Sequence, residues 1–495
     1  MHLEGVLIED RQGDTLLYAG DLRVRITDWF IFKKKAELKF IGLENALVKF
    51  QRTDSAWSQQ FLFDYFASSP STGKKKNGMS IDLKKAELKN VRFIKKDAWL
   101  GEDLDATVGL LYLDAKNISF SGDRFEIQSL FLKDPSVQIR NYARLKPRTG
   151  STVNDDADKA ASWNPGNMVL SIANLKIMNG SFRTDKETDR DPFDYFDGKH
   201  IHVTAINGEF RQARLSGDTV FARISLSARE RSGFELKNLS ADLAMSPVGM
   251  AFSDMLLETN RSTIRSYYSM SYNDMQDLGD YIHKVRMNAL FEDSYVDSDD
   301  IAFFAPALGT WKKEIRLHGL VRGTVDDLVG RDMRVQAGEH TMLNGDISLT
   351  GLPDINQTFI DFRANDFRTT YGDAVTIVPA LRRITSPDLR RIRTLGFKGS
   401  FTGFVRDFVT FGTIETNLGT IRSDLNMKLP FGQEPAYSGN ISTEHFRLGE
   451  FLGDPDLGAI SMTGTVKGRG FSARTRNTMV DGMIRYVEYN DYRYS

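Results

Sequence analysis

The chain has 495 residues, 41% of them hydrophobic, which sets it apart from disordered sequences. Lys and Arg number 65 against 66 Asp and Glu, a balance that argues against a general nucleic-acid binder. There is no cysteine, hence no disulfide, no thiolate metal site and no cysteine nucleophile.

The opening "MHLEGVLIEDRQGD" lacks the basic start and apolar centre of a signal peptide. No run reaches the ~18 apolar residues that a spanning helix needs. At the far end "MIRYVEYNDYRYS" reads as a hairpin turning at Tyr489–Tyr492. The expectation is a piece of a longer protein, with its export signal or anchor outside it.

Between the ends, period-two alternation dominates. Leu88–Asp97, Leu113–Asp123 and Leu175–Asp185 each read as an alternating strand, with an Asn before or near its middle and an Asp at its exit. "SSPSTGKKKNG" (Ser68–Gly78) and "KPRTGSTVNDDADKAASWNPGN" (Lys146–Asn167) read as loops. Further on, Ala222, Ile224, Leu226 and Ala228 alternate with Arg223, Ser225, Ser227 and Arg229; Leu239, Ala241, Leu243 and Met245 repeat the pattern. Such spacing puts the apolar side chains on one face of a strand. Helical patterns are short: Ser55–Ala67, Asp274–Val285, Ser298–Leu308, Ser386–Arg393 and Phe446–Leu452, each expected as a cap or insertion. The class is all-β.

Repeats are the strongest signal. "ETNRSTIRS" (Glu258–Ser266) returns as "ETNLGTIRS" (Glu415–Ser423), and each leads into a long alternating strand. Apolar-x-apolar-x-Gly-x-apolar-x-Gly occurs as "IRLHGLVRG" (Ile315–Gly323), "LGFKGSFTG" (Leu395–Gly403) and "ISMTGTVKG" (Ile460–Gly468). A turn and strand follow the first two copies, then a strand ending in "NDFR" (Asn365–Arg368) or "EHFR" (Glu444–Arg447). Gly319, Gly323, Gly399, Gly403, Gly464 and Gly468 keep phase with the apolar residues. Glycine there weakens a strand, so it marks either a curved sheet or room for something against the backbone.

Chemistry finds little support. His200 and His202 share a strand face, but no third ligand accompanies them. His318 and His445 occupy different places in the repeat. Asp155–Asp156 and Asp299–Asp300 sit in loop-like or helix-start contexts, and Lys33–Lys35 and Lys74–Lys76 read as solvated basic runs. No phosphate-binding loop, nucleophile elbow or H-E-x-x-H motif is present. The expectation is no enzyme, no cofactor and no metal.

An antiparallel sheet with one apolar face must bury it. Here the inward positions mix Leu, Ile, Phe and Met with many Gly, Ala and Ser, which suits an elongated, curled sheet forming an open groove. Acyl chains would fill such a groove, each buried methylene contributing about 0.8 kcal/mol. Lining candidates are Leu239, Leu243, Leu317, Val321, Phe397, Phe401, Ile421, Leu425, Met427, Met462 and Val466.

"GVLIEDRQGDTLLYAGDLRVRITDWFIFKKKAELKFIGLENALVKFQR" (Gly5–Arg52) resembles the amino-terminal region of TamB-like translocation and assembly proteins of the Bacteroidetes type. These belong to the AsmA-like group of bridge-like lipid transfer proteins. "GTIRSDLNMKLP" (Gly419–Pro430) and "FRLGEFLGDPDLGAISMTGTVKGRG" (Phe446–Gly470) are similar to mid-protein repeats of the same family. The resemblance implies a curled β-groove crossing the periplasm, anchored in the inner membrane by a helix that this chain lacks. It implies phospholipid as cargo, and an outer-membrane barrel assembly protein as partner through a C-terminal domain also lacking here. The organisation it suggests is an N-terminal groove region (1–145), a loop or linker (146–167), and groove repeats over 168–310 and 311–495. The competing readings are a chaperone-like scaffold that pairs client β-strands during outer-membrane protein assembly, and a β-solenoid enzyme acting on polysaccharide.

Overall fold

The computed structural model describes the chain except residues 27–34, 62–79, 119–123, 148–161, 305, 307–308, 310–312, 378, 385–387, 431, 471–473 and 476. Strand makes up 67% and helix 9%, so the class is all-β. The loop expected at Ser68–Gly78, most of that at Lys146–Asn167, Asp155–Asp156 and Lys74–Lys76 lie outside the described residues.

Two compact units divide the chain: Met1–Asn260 with Ser271–Asp280, and Arg261–Met270 with Tyr281–Ser495. The first holds β1 (His2–Glu9), β2 (Thr15–Ile26), β3 (Lys35–Arg52), β4 (Ser80–Leu83), β5 (Lys85–Asp97), β6 (Glu102–Ile118) and β7 (Arg124–Lys133). It continues with β8 (Ser136–Asn141), β9 (Val169–Lys186), β10 (His200–Ser216), β11 (Thr219–Glu230), β12 (Glu235–Ser246) and β13 (Gly249–Thr259).

Uniform antiparallel pairing was expected, and this unit departs from it. β4 and β5 both run parallel to β3, and β9 runs parallel to β7 and β8. The reason is the length of the two connections, β3 to β4 and β8 to β9, each longer than the dozen or so residues that a parallel return needs. Partners across these pairs are 45 residues apart, as in Ile41 with Ala86 and Arg124 with Val169. Beyond β9 the strands pair antiparallel, each with the next, through β13.

Of the Asn residues noticed in the strands, Asn90 and Asn179 have a structural job, while Asn117 sits opposite Glu126 in the ladder. Asn45, Asn90, Asp134 and Asn179 all adopt a left-handed φ of 50–51° or so, and Asn and Asp tolerate that conformation best after Gly. Across β3 and β5 the pairing is unbroken, Leu43 with Leu88 and Ala46 with Val91, so the two left-handed residues fall opposite each other rather than adding a residue to one strand. They stack across the parallel pairs: Asn90 Nδ2 donates to Asn45 Oδ1 at 3.2 Å, and Asn179 Nδ2 to Asp134 Oδ1 at 2.6 Å. The exit aspartate Asp97 is buried and takes a bidentate pair of 2.8 Å bonds from Arg52.

The second unit holds β14 (Thr263–Ser271), whose last residue falls in the first unit, then β15 (Arg286–Asp297), β16 (Glu314–Gly323), β17 (Asp327–Ala337), β18 (Thr341–Thr350) and β19 (Phe359–Thr370). After these come β20 (Thr394–Phe404), β21 (Asp407–Thr416), β22 (Gly419–Lys428), β23 (Ala436–Arg447), β24 (Leu457–Arg469), β25 (Asn477–Tyr489) and β26 (Tyr492–Tyr494). From β15 on, every strand pairs antiparallel with the next. The three glycine repeats are β16, β20 and β24.

Helices are short: α1 (Tyr281–Lys284), α2 (Ser298–Ala302), α3 (Tyr371–Ile377) and α4 (Leu448–Leu452). The last three follow β15, β19 and β23, so a helix caps every fourth strand. The helical readings at 274–285, 298–308, 386–393 and 446–452 are each met by a shorter helix or a 3-10 turn. The reading at 55–67 runs into undescribed residues. α3 was not anticipated because Val375, Thr376 and Ile377 are β-branched and read as strand. Its first turn docks instead: Asp373 takes bonds from Lys313 Nζ at 2.9 Å and from the His340 amide at 3.0 Å.

The nine-residue repeat is a hairpin turn in its second copy, where Asn417 and Leu418 join β21 to β22. Asn417 Oδ1 accepts from the Arg393 amide at 2.8 Å, its Nδ2 donates to the Arg391 carbonyl, and Leu418 is sealed under Phe446 at 1% exposure. In the first copy Arg261 and Ser262 replace Leu418 and Gly419. The plug there is polar, Ser262 Oγ donating to Asp300 at 2.5 Å and Arg261 bonding Asp299.

Little of the chain is dry. A compact monomer of 55.9 kDa would expose roughly 18,000 Å²; this chain exposes 30156 Å².

Candidate functional site: the apolar faces

Residues directly opposite in paired strands project from the same face. In the first unit Leu239 lies between Leu226 and Leu257, and Leu243 between Ala222 and Phe252. The same face runs back through Phe210 with Leu175, Leu130 with Leu113, Leu88 with Leu43, and Leu22 with Leu3. It is apolar through these strands, aliphatic except for Phe210 and Phe252. The other face carries cross-strand ion pairs such as Arg92 with Asp105 and Arg223 with Asp242.

In the second unit the face is made of four parallel rows, and the predicted lining residues fall in three of them. One runs Leu317–Val335–Leu343–Phe367–Phe397–Ile414–Ile421–Thr443–Met462–Ile484. A second runs Val321–Gly330–Ile347–Phe362–Phe401–Thr410–Leu425–Gly439–Val466–Val480 over the same strands. Met427 belongs to a third, with Gly323, Leu328, Leu349, Ile360, Gly403, Phe408, Tyr437 and Gly468. All nine predicted residues of this unit therefore share one face. Met462 and Val466 are covered within a cluster built on Leu418, Phe446 and Ile460, while the others are half-buried.

The fourth row lies midway along the strands and is made of small residues: Met333–Gly345–Ala364–Gly399–Gly412–Ser423–Ile441–Gly464–Gly482, with Gly319 packed against Met333. Gly399 and Gly412 face each other with φ of 150° and 153°, which side-chain-bearing residues rarely adopt. A Cβ on Gly399 would lie 2.0 Å from the Phe411 carbonyl, and one on Gly412 2.1 Å from that of Lys398. Two explanations were open for these glycines, a bend or room for a ligand. The space at Gly399 and Gly412 is taken by the neighbouring strand's own backbone, so the row is a crease in the sheet. Gly464 and Gly468 lie outside the left-handed region; Gly468 faces the Tyr437 ring, at 2.6 Å from a built Cβ. Registers could not be read from one sequence, yet the shared spacing of Gly399 and Gly412 from their strand ends was a signal for this row.

Burial is uneven along each strand. At the rim that carries α2, α3 and α4, Val296, Ile315, Ala337, Thr341, Thr369, Phe446 and Ile460 are all buried. At the opposite rim, formed by the hairpins after β16, β18, β20, β22 and β24, no side chain of the third row is buried.

Titratable groups are structural. Burial alone would push the Asp197 carboxyl up, but Arg190, with the Lys199 and Phe193 amides, holds it well below the usual range. His200 bonds Asp185 at 3.2 Å and Thr188 at 3.1 Å, and His445 bonds the Tyr486 hydroxyl at 2.6 Å. His318 faces Arg334 on the polar side. Among the described residues no three His, Asp or Glu side chains are grouped to hold a metal ion. No helix among the described residues is long and apolar enough to cross a membrane. No protein-family model matches the chain, and neither a curated protein nor a solved structure matches it.

Proposed function

We propose that this chain is a non-enzymatic lipid conduit, part of a TamB-like bridge in the cell envelope, whose apolar face carries phospholipid acyl chains across the periplasm. The observation that carries the reading is an apolar face that continues from strand to strand within each unit and is left mostly half-buried, in a chain exposing far more surface than its mass requires. A patch of that kind is not left to water. Acyl chains suit it because they are apolar and need no directional partner, and a face without polar anchors lets them slide. An inner-membrane anchor and an outer-membrane barrel partner belong to the same proposal.

The test places a photo-crosslinking residue at Leu425, on the apolar face, and at Arg422, on the polar face of the same strand. Lipid adducts at Leu425 alone support the conduit. Equal labelling at Leu425 and Arg422, or none at either, refutes it.

A further inference from the structure

The two rims of the second unit differ, and the difference assigns an orientation to the cargo. On β22, Ile421 stands at the capped end, where Leu418, Phe446, Ile460 and Met462 close over the face together with Leu448 and Phe451. Met427 stands at the hairpin end between Phe408 and Tyr437, all half-buried and with no helix over them; Tyr437 also touches the near edge of that cluster. One residue further out, on the polar side, the next cross-strand row is Asp407–Lys428–Ala436–Arg469. Lys428 and Arg469 therefore flank the small Ala436. With Arg406 and Glu434 they line a cleft of about 620 Å³. Asp407 pairs with Lys428 at 3.2 Å and Glu434 accepts from Thr475, whereas Arg469 has no acidic partner among the described residues. Three cations against two acids leave this stretch of rim net positive, one residue beyond the half-buried apolar row.

Resting on the conduit reading, we infer that the hairpin rim is the open lip of the face, and that an anionic phospholipid lies there with its acyl chains on Phe408, Met427 and Tyr437 and its phosphate at Lys428 and Arg469. The capped rim is sealed and takes no lipid. Charge complementarity selects the headgroup: a phosphodiester brings the negative charge that Arg469 lacks, while the uncapped apolar row beside it takes the tails.

The experiment uses the full chain with a photo-crosslinking residue at Met427 or at Ile421, incubated with vesicles of dioleoylphosphatidylglycerol or of dioleoylphosphatidylcholine. Adducts are counted by intact mass. With phosphatidylglycerol the yield at Met427 should exceed that at Ile421 by roughly tenfold. Charge reversal by Lys428→Glu and Arg469→Glu, at exposed positions, should lower that yield by about tenfold and leave the phosphatidylcholine yield unchanged. Equal yields at Met427 and Ile421, or a phosphatidylglycerol yield indifferent to the reversal, would overturn the inference. If Leu425 still labels in those cases, the conduit stands and only the orientation fails. If Leu425 does not label, both fall.

Discussion

The two units bend a one-sided sheet by different means. In the first, left-handed Asn and Asp residues interrupt the regular strand conformation and stack on their neighbours 45 residues away, Asn45 on Asn90 and Asp134 on Asn179. In the second, a row of small residues crosses the strands and lets their backbones approach where a side chain would collide. A left-handed residue keeps its side chain and can be exchanged at modest cost. Gly399 and Gly412, at the centre of the crease, cannot carry one without meeting the neighbouring backbone.

That contrast sets the order of expected effects. Gly399→Val forces a Cβ branch into the Phe411 carbonyl and a β-branched residue into a positive φ, and should destabilise the second unit by more than ~3 kcal/mol, read as a lowered urea midpoint. Asp97→Asn in the first unit strands Arg52 beside a buried amide and should cost about 3 kcal/mol. The same pair gives a pH signature. The hydrogen bond from Arg52 holds the Asp97 carboxyl below its ordinary value, against the opposing push of burial. Its stabilisation is therefore complete above the unfolded pKa of about 3.9 and is lost as pH falls through the lower folded value. Urea midpoints at pH 7 and pH 2 should thus converge for wild type and Asp97→Asn. Smallest is Asn90→Ala, which loses the left-handed preference and the bond to Asn45 and should cost about 1–2 kcal/mol. Asn90→Gly should recover most of that loss. If Asn90→Ala proved as damaging as Gly399→Val, the distinction between left-handed residue and crease would collapse.

Much of the site was legible before any coordinates. Alternation alone placed Leu317, Phe397, Ile421 and Met462 on one face, because a two-residue period leaves little choice of side. The glycine repeats were visible for the same reason. What alternation cannot carry is partnership across distance. The 45-residue parallel pairing of β3 with β5 depends on a connection that returns the chain to the same edge, and no local pattern encodes it. Asn90 and Asn179 were noticed, but their bonds to Asn45 and Asp134, 45 residues away, appear only once the strands are paired. α3 was missed because its β-branched residues favour strand, and tertiary bonds to Asp373 decide otherwise. The sealing of one rim depends on Leu418, Phe446 and Ile460 meeting from separate strands, which no single stretch announces.

Mass-spectrometric counting of phospholipid on detergent-free protein, for wild type and for Leu243→Asp with Leu425→Asp, tests the central claim most directly. The conduit account predicts bound phospholipid on wild type and its loss from the variant, with the cooperative unfolding transition retained, since both leucines are only half-buried. A lipid-free wild-type protein, or a variant that unfolds rather than empties, would show that the apolar face is a closed core and contradict the account.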